Sequence, residues 1–251
     1  MKKGLGFVLA TIMILSMAAC GVPPVTETPS TEVLQSAPAE TSKPVVIFTD
    51  DVLEELVRKA MNKPEGNITL AEAEAVTELN LEMEGGVPIP RIGDVSDLTQ
   101  FPNLTSLNLN WALYDGDDVF DLSPLADLTK LEYLYVCCDN INDISALAGM
   151  TNMKDLWIWG NGNISDISAL AGMTKLESIW MKGNKISDIS VLANMKNLTY
   201  LCMEDNQVAD LSPLAGLSKL TSVLLSGNPA TDYASLKDVY PNLAEKDFEI
   251  E

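Results

Sequence analysis

Apolar residues recur along this chain in one order. Each copy reads apolar, two variable residues, apolar, one variable residue, apolar, then a polar corner, followed by apolar residues at every third position. The clearest copy consists of Leu176, Ile179, Met181, Asn184, Ile186, Ile189, Leu192 and Met195. The seven copies begin at Val76, Leu104, Leu131, Met153, Leu176, Leu198 and Leu220. A period of about 22 residues is typical of a solenoid, whose stacked turns share one hydrophobic core.

Each copy predicts the same local structures. The first apolar residues alternate with variable ones, which is the period of a β-strand. At the corner, a side-chain amide can bond backbone groups that a turn leaves unpaired. The corner residues are Asp139, Asn161, Asn184, Asn206 and Asn228. A short helical turn follows, and Ser123 and Ser212, each preceding a Pro, are predicted as its N-caps. We therefore expect seven parallel strands with helical turns opposite them.

Two copies are longer than the others. The segments Glu84–Arg91 and Ala112–Asp118 are inserted after the strand in the first two copies. Because equivalent positions in successive turns lie side by side, both insertions are predicted on one rim of the sheet, lined by Tyr114, Asp115, Asp117 and Asp118. Insertions in repeat proteins commonly lie on the binding side.

The phrase ISDISVLANMKNLTYLCMEDNQVADLSPLAGLSKL resembles the 22-residue leucine-rich repeat of internalin-like bacterial surface proteins. The resemblance covers roughly residues 45–251. It implies an α/β leucine-rich repeat solenoid with a curved parallel β-sheet on the concave face, 3₁₀ or short helical turns on the convex face, and ligand binding by the concave face. The chain has few repeats and shows no sorting motif or cell-wall module of the kind many internalins carry. The resemblance therefore implies no particular ligand.

The first residues resemble a lipoprotein leader. In residues 1–19, two lysines precede an apolar run that ends in small residues, which predicts a signal peptide. The ending Met-Ala-Ala-Cys-Gly resembles a bacterial lipobox and implies a lipid on Cys20; an ordinary signal peptide with an incidental Cys20 is the alternative. Residues 20–44 are rich in Pro, Thr, Ser, Glu and Ala, so a disordered tether is predicted there.

Both ends of the solenoid need a cap over their exposed turns. Residues 45–75 are predicted as a helical N-terminal cap, with a first helix capped by Asp50 or Asp51 and a second after Thr69. The apolar face of the first helix is predicted as Val52, Leu56, Val57, Ala60 and Met61. The repeats themselves occupy residues 76–228. Residues 229–251 depart from the strand pattern and are predicted as the C-terminal cap.

The chain is strongly acidic, with a formal net charge of −20. Removing residues 1–19 takes away two lysines and no acid, which makes the charge −22. Nucleic acid is excluded as a partner because phosphates need a positive field. An anionic membrane would repel the domain, so membrane contact is expected only through the lipid. The charge fits either simple solubility of a monomer or a cationic partner.

No chemistry for catalysis stands out. The chain has no His, which removes the commonest general base and metal ligand, so we predict a non-enzyme without cofactor or metal. One Asp recurs per turn, at Asp121, Asp143, Asp166, Asp188 and Asp210. The row fits either calcium binding or bonds to local backbone donors, and the local role is favoured. Cys137 and Cys138 could form a vicinal disulfide, although free thiols are favoured for them and for Cys202.

The variable strand residues share one face because strand side chains alternate. That face is predicted to hold Asn108, Asn110, Trp111, Tyr133, Tyr135, Cys137, Asp155, Trp157, Trp159, Ser178, Trp180, Lys182, Tyr200, Cys202 and Glu204. It contains all four Trp of the protein. Exposed aromatic patches are typical of interaction sites, although cross-strand stacking could instead only stabilise the sheet. The candidate ligand-binding residues are Trp111, Tyr133, Tyr135, Asp155, Trp157, Trp159, Trp180 and Tyr200.

The sequence thus predicts a non-catalytic cell-surface lipoprotein that binds a protein or peptide partner. A carbohydrate-binding lipoprotein is the alternative, because sugars also stack on Trp and Tyr and because Asn110, Asp155 and Glu204 could bond a sugar. We expect the protein on the extracellular face of a bacterial cell membrane. A Gram-positive cell is favoured over a Gram-negative periplasm.

Overall fold

A computed structural model describes residues 43–83, 90–113 and 119–250. The predicted signal peptide, Cys20 and nearly all of the tether lie outside the described residues. The same holds for most of both insertions, including Tyr114, Asp115, Asp117 and Asp118.

The described residues contain eight short parallel strands that pair in chain order. They are β1 (Glu78–Asn80), β2 (Ser106–Asn108), β3 (Tyr133–Tyr135), β4 (Asp155–Trp157), β5 (Ser178–Trp180), β6 (Tyr200–Cys202), β7 (Ser222–Leu224) and β8 (Glu245–Lys246). The α/β solenoid fold predicted from the repeat is confirmed. The number of strands was wrong by one, because β8 comes from the segment after the last repeat. It pairs with β7 through main-chain bonds, which need no repeat pattern and cover groups that β7 would otherwise expose.

Short 3₁₀ helices lie opposite the sheet. They span Ser96–Gln100, Ser123–Asp127, Ser145–Gly149, Ser168–Gly172, Ser190–Asn194, Ser212–Leu214, Ala234–Leu236 and Tyr240–Asn242. The predicted N-caps are wrong by one residue. Ser123 and Ser212 are the first residues of their helices, and the N-cap residue before each of them is a Leu, which makes no side-chain capping hydrogen bond. The acceptor is the Asp two residues before the Ser: Asp121 Oδ1 accepts from Ser123 N at 2.7 Å, and Asp210 Oδ1 from Ser212 N at 2.8 Å.

The same bond forms at Asp143, Asp166 and Asp188, each 2.8 Å from the N–H of the Ser two residues on. The local role predicted for the Asp row is therefore confirmed. These N–H groups stabilise the carboxylate form, which lowers the pKa of Asp121, Asp166, Asp188 and Asp210.

Asparagine side chains fasten each turn to the one before it. Asn206 Nδ2 donates to Met181 O of the previous turn at 3.0 Å and to Met203 O of its own turn at 3.1 Å. Its Oδ1 accepts from Ile186 N at 3.0 Å, again in the previous turn. Asn228 repeats this pattern with Met203, Leu225 and Val208 one turn later. A single amide thus satisfies buried backbone groups of two turns at once.

Asn184 is an exception within this series. Its Nδ2 donates to Ile158 O at 2.8 Å and Met181 O at 3.0 Å, but its buried Oδ1 has no hydrogen-bond partner among the described residues. The turn before it is one residue longer than the standard turn. In that longer turn Gly162 N donates to Gly183 O instead, at 3.1 Å.

The core lies between the sheet and the 3₁₀ helices. The central residue of each middle strand points into it, and Leu134, Leu156 and Ile179 are completely buried. Burying one such side chain stabilises the fold by about 1.5–3 kcal/mol. Because every turn adds equivalent residues, the core is continuous along the solenoid.

Two helices cover the first turn. The first, α1 (Asp51–Ala60), is capped by Asp50, whose Oδ1 accepts from Leu53 N at 2.8 Å. The predicted apolar face is partly wrong, since Leu53 and Val57 are its buried residues and Ala60 is exposed. Leu53 and Val57 are four residues apart, so they lie on one side of the helix. Asp50 Oδ2 also accepts from Gly93 N at 2.7 Å, which fixes α1 against the repeats.

The second helix, α2 (Leu70–Glu74), begins after Thr69 with a complete capping box between Thr69 and Glu72. Hydrogen bonds from Lys63 and Thr69 lower the pKa of Glu72 to about 2. At the other end of the solenoid, Tyr233 stacks on the buried Phe248 with ring centroids 4.9 Å apart. Within the described ranges, no helix has the length and apolar character needed to cross a membrane. The boundaries 45–75 and 229–251 of the caps stay predictions.

Replacing Leu156 by Asp should unfold the repeat domain or greatly lower its melting temperature, because a charge would enter the shared core at a cost of several kcal/mol. The control is Lys175→Asp on the exposed surface, which should melt close to the wild type. Thermal unfolding followed by circular dichroism makes the comparison. Similar melting temperatures for the two variants would contradict the register of the repeats.

The hydrogen bonds of Asn206 and Asn184 predict that replacing each residue by Ala lowers the free energy of unfolding by a different amount. Asn206→Ala should lower the free energy of unfolding by about 3 kcal/mol, because it removes the side-chain partner of the Ile186 N–H as well as that of the Met203 and Glu204 carbonyl groups. Asn184→Ala should cost about 1 kcal/mol, since it removes only bonds donated by Nδ2 and also removes a buried Oδ1 that bonds no described residue. Urea unfolding of both variants measures the difference. Equal losses would mean that the Oδ1 bond of Asn206 contributes nothing.

Candidate functional site

The face of the sheet turned away from the core is built from the first and third residues of each strand. The first residues align as Tyr133, Asp155, Ser178, Tyr200 and Ser222. The third residues align as Tyr135, Trp157, Trp180, Cys202 and Leu224. Because the register has no slip, equivalent side chains of neighbouring turns stand side by side. We call this surface the concave face.

Four aromatic rings on this face touch in sequence. Tyr135 meets Trp157 edge to face with centroids 5.0 Å apart, and Trp157 meets Trp180 at 5.1 Å and 38°. Trp180 stacks on Tyr200 at 4.6 Å and 16°. Tyr200 belongs to the neighbouring row of side chains, so the last contact is diagonal. We call these four residues the aromatic ladder.

Asp155 fixes the orientation of two ladder rings. Its Oδ1 accepts from Trp157 Nε1 at 3.0 Å, and its Oδ2 accepts from the Tyr135 hydroxyl at 3.3 Å. Burial and the negative charge of Asp155 raise the pKa of Tyr135 to about 12, so this hydroxyl keeps its proton at neutral pH. Both oxygens of Asp155 are thus engaged within the ladder.

Of the remaining predicted aromatic residues, Tyr133 and Trp159 each lie two residues from a ladder residue along the chain, and Trp111 follows β2. Trp111 and Trp159 contact each other edge to face at 6.4 Å. The backbone of Trp111 is left-handed, with φ 59°, which is a strained state for a bulky residue. Tyr133 is the most exposed of the candidate residues, at 36%. The Nζ of Lys154 lies 6.0 Å from its ring centroid and is paired with Glu132 at 2.6 Å.

Three residues predicted on the concave face are instead buried. Asn110 and Cys137 lie two residues beyond β2 and β3, in the corner, where burial depends on local contacts and no longer on alternation; Trp159 and Lys182 at the equivalent positions stay partly exposed. Asn110 Oδ1 accepts from Cys137 N at 3.1 Å, which gives it a corner role. Cys202 keeps the register of Trp180 but is only 1% exposed.

The thiols of Cys137, Cys138 and Cys202 are free, in agreement with the favoured prediction. Burial raises the pKa of Cys137, raises that of Cys138 to about 11 and raises that of Cys202 to about 12. These thiols are therefore protonated and poorly nucleophilic at neutral pH.

Charged residues border the ladder at the carboxyl ends of the strands. Lys182 pairs with Glu204 at 3.1 Å and with Asp205 at 3.6 Å. Glu204 also accepts from Ser226 Oγ at 3.0 Å. The residues predicted on this face include Glu204 and Lys182 but not Ser222, Leu224 and Glu245, which β7 and β8 add to it. The alternation of strand side chains in the seventh copy would have predicted Ser222 and Leu224 on this face.

No group of three or more His, Cys, Asp or Glu side chains in the described ranges is arranged to hold a metal ion. Shallow grooves of about 320 and 310 Å³ lie on the convex side, lined by Asp and Ser of the 3₁₀ turns. They contain no ladder residue. The arrangement on the concave face can therefore offer apolar contact and hydrogen bonds over a broad open surface.

Comparison with known proteins places this architecture in a family. Residues 151–194 match the family model for leucine-rich repeats, in two copies. No curated protein matches the chain in sequence. Internalin C2 from Listeria monocytogenes is 32% identical, over 81% of this chain and 87% of that chain, with a TM-score of 0.70.

Two more distant structures share the fold. A leucine-rich repeat protein from Leptospira interrogans is 20% identical over 61% of this chain and 45% of that chain, with a TM-score of 0.52. The plant peptide hormone receptor RGFR1, in complex with RGF2, is 13% identical over 61% of this chain and 26% of that chain, with a TM-score of 0.51. The identity to internalin C2 across most of both chains shows that this chain belongs to the internalin family of leucine-rich repeat proteins.

Proposed function

We propose that this chain is a non-catalytic, lipid-anchored surface protein that binds a protein or peptide partner through the aromatic ladder. The leucine-rich repeat fold itself suggests protein–protein interaction, because it presents an extended open surface. The observation that carries the proposal is the row of four touching aromatic rings on the solvent side of the sheet. Trp and Tyr are the residues that most often dominate binding energy at protein interfaces.

The contacts within the ladder favour binding as well as sheet stability. Each aromatic pair contributes about 0.5–1.5 kcal/mol to the fold. The same contacts, with the two bonds from Asp155, hold the rings in one arrangement before any partner arrives. A rigid surface loses little conformational freedom on binding, so more of the contact energy appears as affinity.

The ring orientations favour a protein partner over a glycan. Trp180 lies between Trp157 and Tyr200, at 5.1 and 4.6 Å, so neighbouring rings flank it on both sides. Sugars stack on open ring faces, whereas Trp180 is stacked on Tyr200 and has the tilted Trp157 ring as its other neighbour. The polar groups that supported the glycan alternative are also occupied. Asp155 bonds two ladder rings, Glu204 bonds Lys182, and Asn110 is buried.

RGFR1 is in complex with RGF2, and this chain shares with it only the fold. The shared fold does not identify the class of partner for this chain. The proposal of a protein or peptide partner is therefore based on the surface of this chain itself. The remaining candidate residues, Trp111, Tyr133 and Trp159, widen the surface available to such a partner.

The location of the protein rests on its first residues. The lipobox-like ending at Cys20 supports diacylglycerol attachment, and residues 20–44 provide a tether on the order of 25–30 Å long if flexible. Such a tether would hold the repeats away from the outer face of the membrane. The net charge supports a soluble monomer beyond the anchor.

Trp180→Ala should abolish recovery of ligands while leaving the fold nearly intact, because the ring is central in the ladder and outside the core. The mature chain, residues 20–251, is screened against a displayed peptide library and a glycan array in parallel with this variant. We expect peptide binders whose affinity falls at least 30-fold with Trp180→Ala and less with the conservative control Trp157→Phe. Glycans bound through Trp180, or peptide binders indifferent to it, would contradict the proposal.

Cys20→Ala should prevent lipid attachment, so the protein would appear in the medium or as an unprocessed precursor. Labelling of cells with radioactive palmitate, followed by membrane fractionation, compares the variant with the wild type. The wild type should carry label and sediment with membranes. Equal labelling of both proteins would show that Cys20 is not the lipidated residue.

A further inference from the structure

The charges around the ladder are unequal. The carboxylates on and beside the concave face from β3 to β8 include Glu132, Asp155, Glu177, Glu204, Asp205 and Glu245, against the two lysines Lys154 and Lys182. Both lysines are already paired, Lys154 with Glu132 at 2.6 Å and Lys182 with Glu204 and Asp205 at 3.1 and 3.6 Å. The surface around the rings is therefore negative after its internal ion pairs are formed.

The carboxylates lie on both borders of the ladder. Glu177 directly precedes β5 and is exposed; its backbone bonds Lys154 and Thr199, whereas its carboxylate makes no hydrogen bond or ion pair within the described residues. Asp205 lies beyond the end of β6, and its side chain is 61% exposed. Glu245 aligns with Ser222 next to Tyr200 and accepts from Ser222 Oγ at 2.7 Å. Burial raises the pKa of Tyr200 to about 12, and the nearby Glu245 and Glu204 charges act in the same direction.

The ladder itself is a poor place for a cation. Aromatic rings are negative on their faces and positive at their edges. Tyr200 is stacked on Trp180 and the Trp157 ring is tilted against it, so the ring surfaces between these three side chains are closed to a cation. The positive ring edges favour contact with apolar side chains and carbonyl oxygens. The carboxylates of the two borders instead attract positive charge. The concave face is thus divided into an apolar centre and two acidic borders.

We propose that the partner of the concave face is an extended protein segment with an apolar centre and Lys or Arg on either side of it. This inference rests on the proposed function and specifies its partner. Glu177 aligns with Thr199, six residues before Asp205, so the two borders lie about 20 Å apart along the strand direction. At about 3.3 Å per residue, an extended segment of about six residues that crosses the ladder in this direction spans the distance. Its apolar centre then lies on the ladder, and its basic residues lie opposite Glu177 on one border and Asp205 on the other.

The test uses a displayed library of random ten-residue peptides, selected on the mature wild-type chain and counter-selected on Trp180→Ala. We expect the selected peptides to carry Lys or Arg on both sides of an apolar centre. The affinity of one such synthetic peptide is then measured against the double variant Glu177→Gln, Asp205→Asn. It should fall about fivefold, since each exposed ion pair contributes modestly, and wild-type affinity should fall as salt rises.

The matched control is the double variant Glu65→Gln, Asp127→Asn, which removes the same charge from exposed positions away from the concave face. It should bind like the wild type. Equal weakening by both double variants would show an effect of net charge alone and overturn the inference. Selected peptides that need Trp180 but lack basic residues would leave the proposed function standing and overturn only the charge preference. If no selected peptide depends on Trp180, both fail.

Discussion

The structure depends on hydrogen bonds and packing between neighbouring turns. A single turn has a strand of three residues and a short 3₁₀ helix, neither of which is stable alone. Parallel pairing satisfies the strand, and the corner amides of Asn206 and Asn228 satisfy backbone groups of their own turn and of the turn before. The apolar residues of each turn are buried only because adjacent turns cover them. Stability is therefore a property of the stack, and both ends need a structure that closes it.

The stacking of neighbouring turns also creates the candidate site. Because the register repeats without a slip from β3 to β7, any side chain placed at one strand position meets its equivalents in adjacent turns. Aromatic residues at these positions become a continuous ladder without any loop to position them. Asp155 adds orientation by bonding Trp157 and Tyr135. A continuous ordered surface is thus a direct consequence of the repeat, while its chemistry depends on the few residues that the core leaves variable.

The division of charge follows from the same geometry. From β3 to β6, the positions before, within and after the short strands form one border that contains Glu132 and Glu177, an aromatic centre, and a second border that contains Glu204 and Asp205. The lysines in the borders are held by carboxylates of neighbouring turns, as Lys154 is by Glu132. These ion pairs stabilise the arrangement modestly and leave an excess of negative charge on the concave face.

The sequence by itself determined the solenoid, the position of the core and the aromatic character of one face, because these depend only on a repeated period and on side-chain alternation. It did not determine β8, since a strand held by main-chain pairing carries no apolar pattern. It also misplaced Asn110 and Cys137, because the length of a strand is set by its neighbours and alternation ends with it. The stacking of Trp180 between Trp157 and Tyr200 was decided by the tertiary structure alone. Ring orientation depends on which side chains from three different turns fill the space around each ring, and no local pattern contains that information.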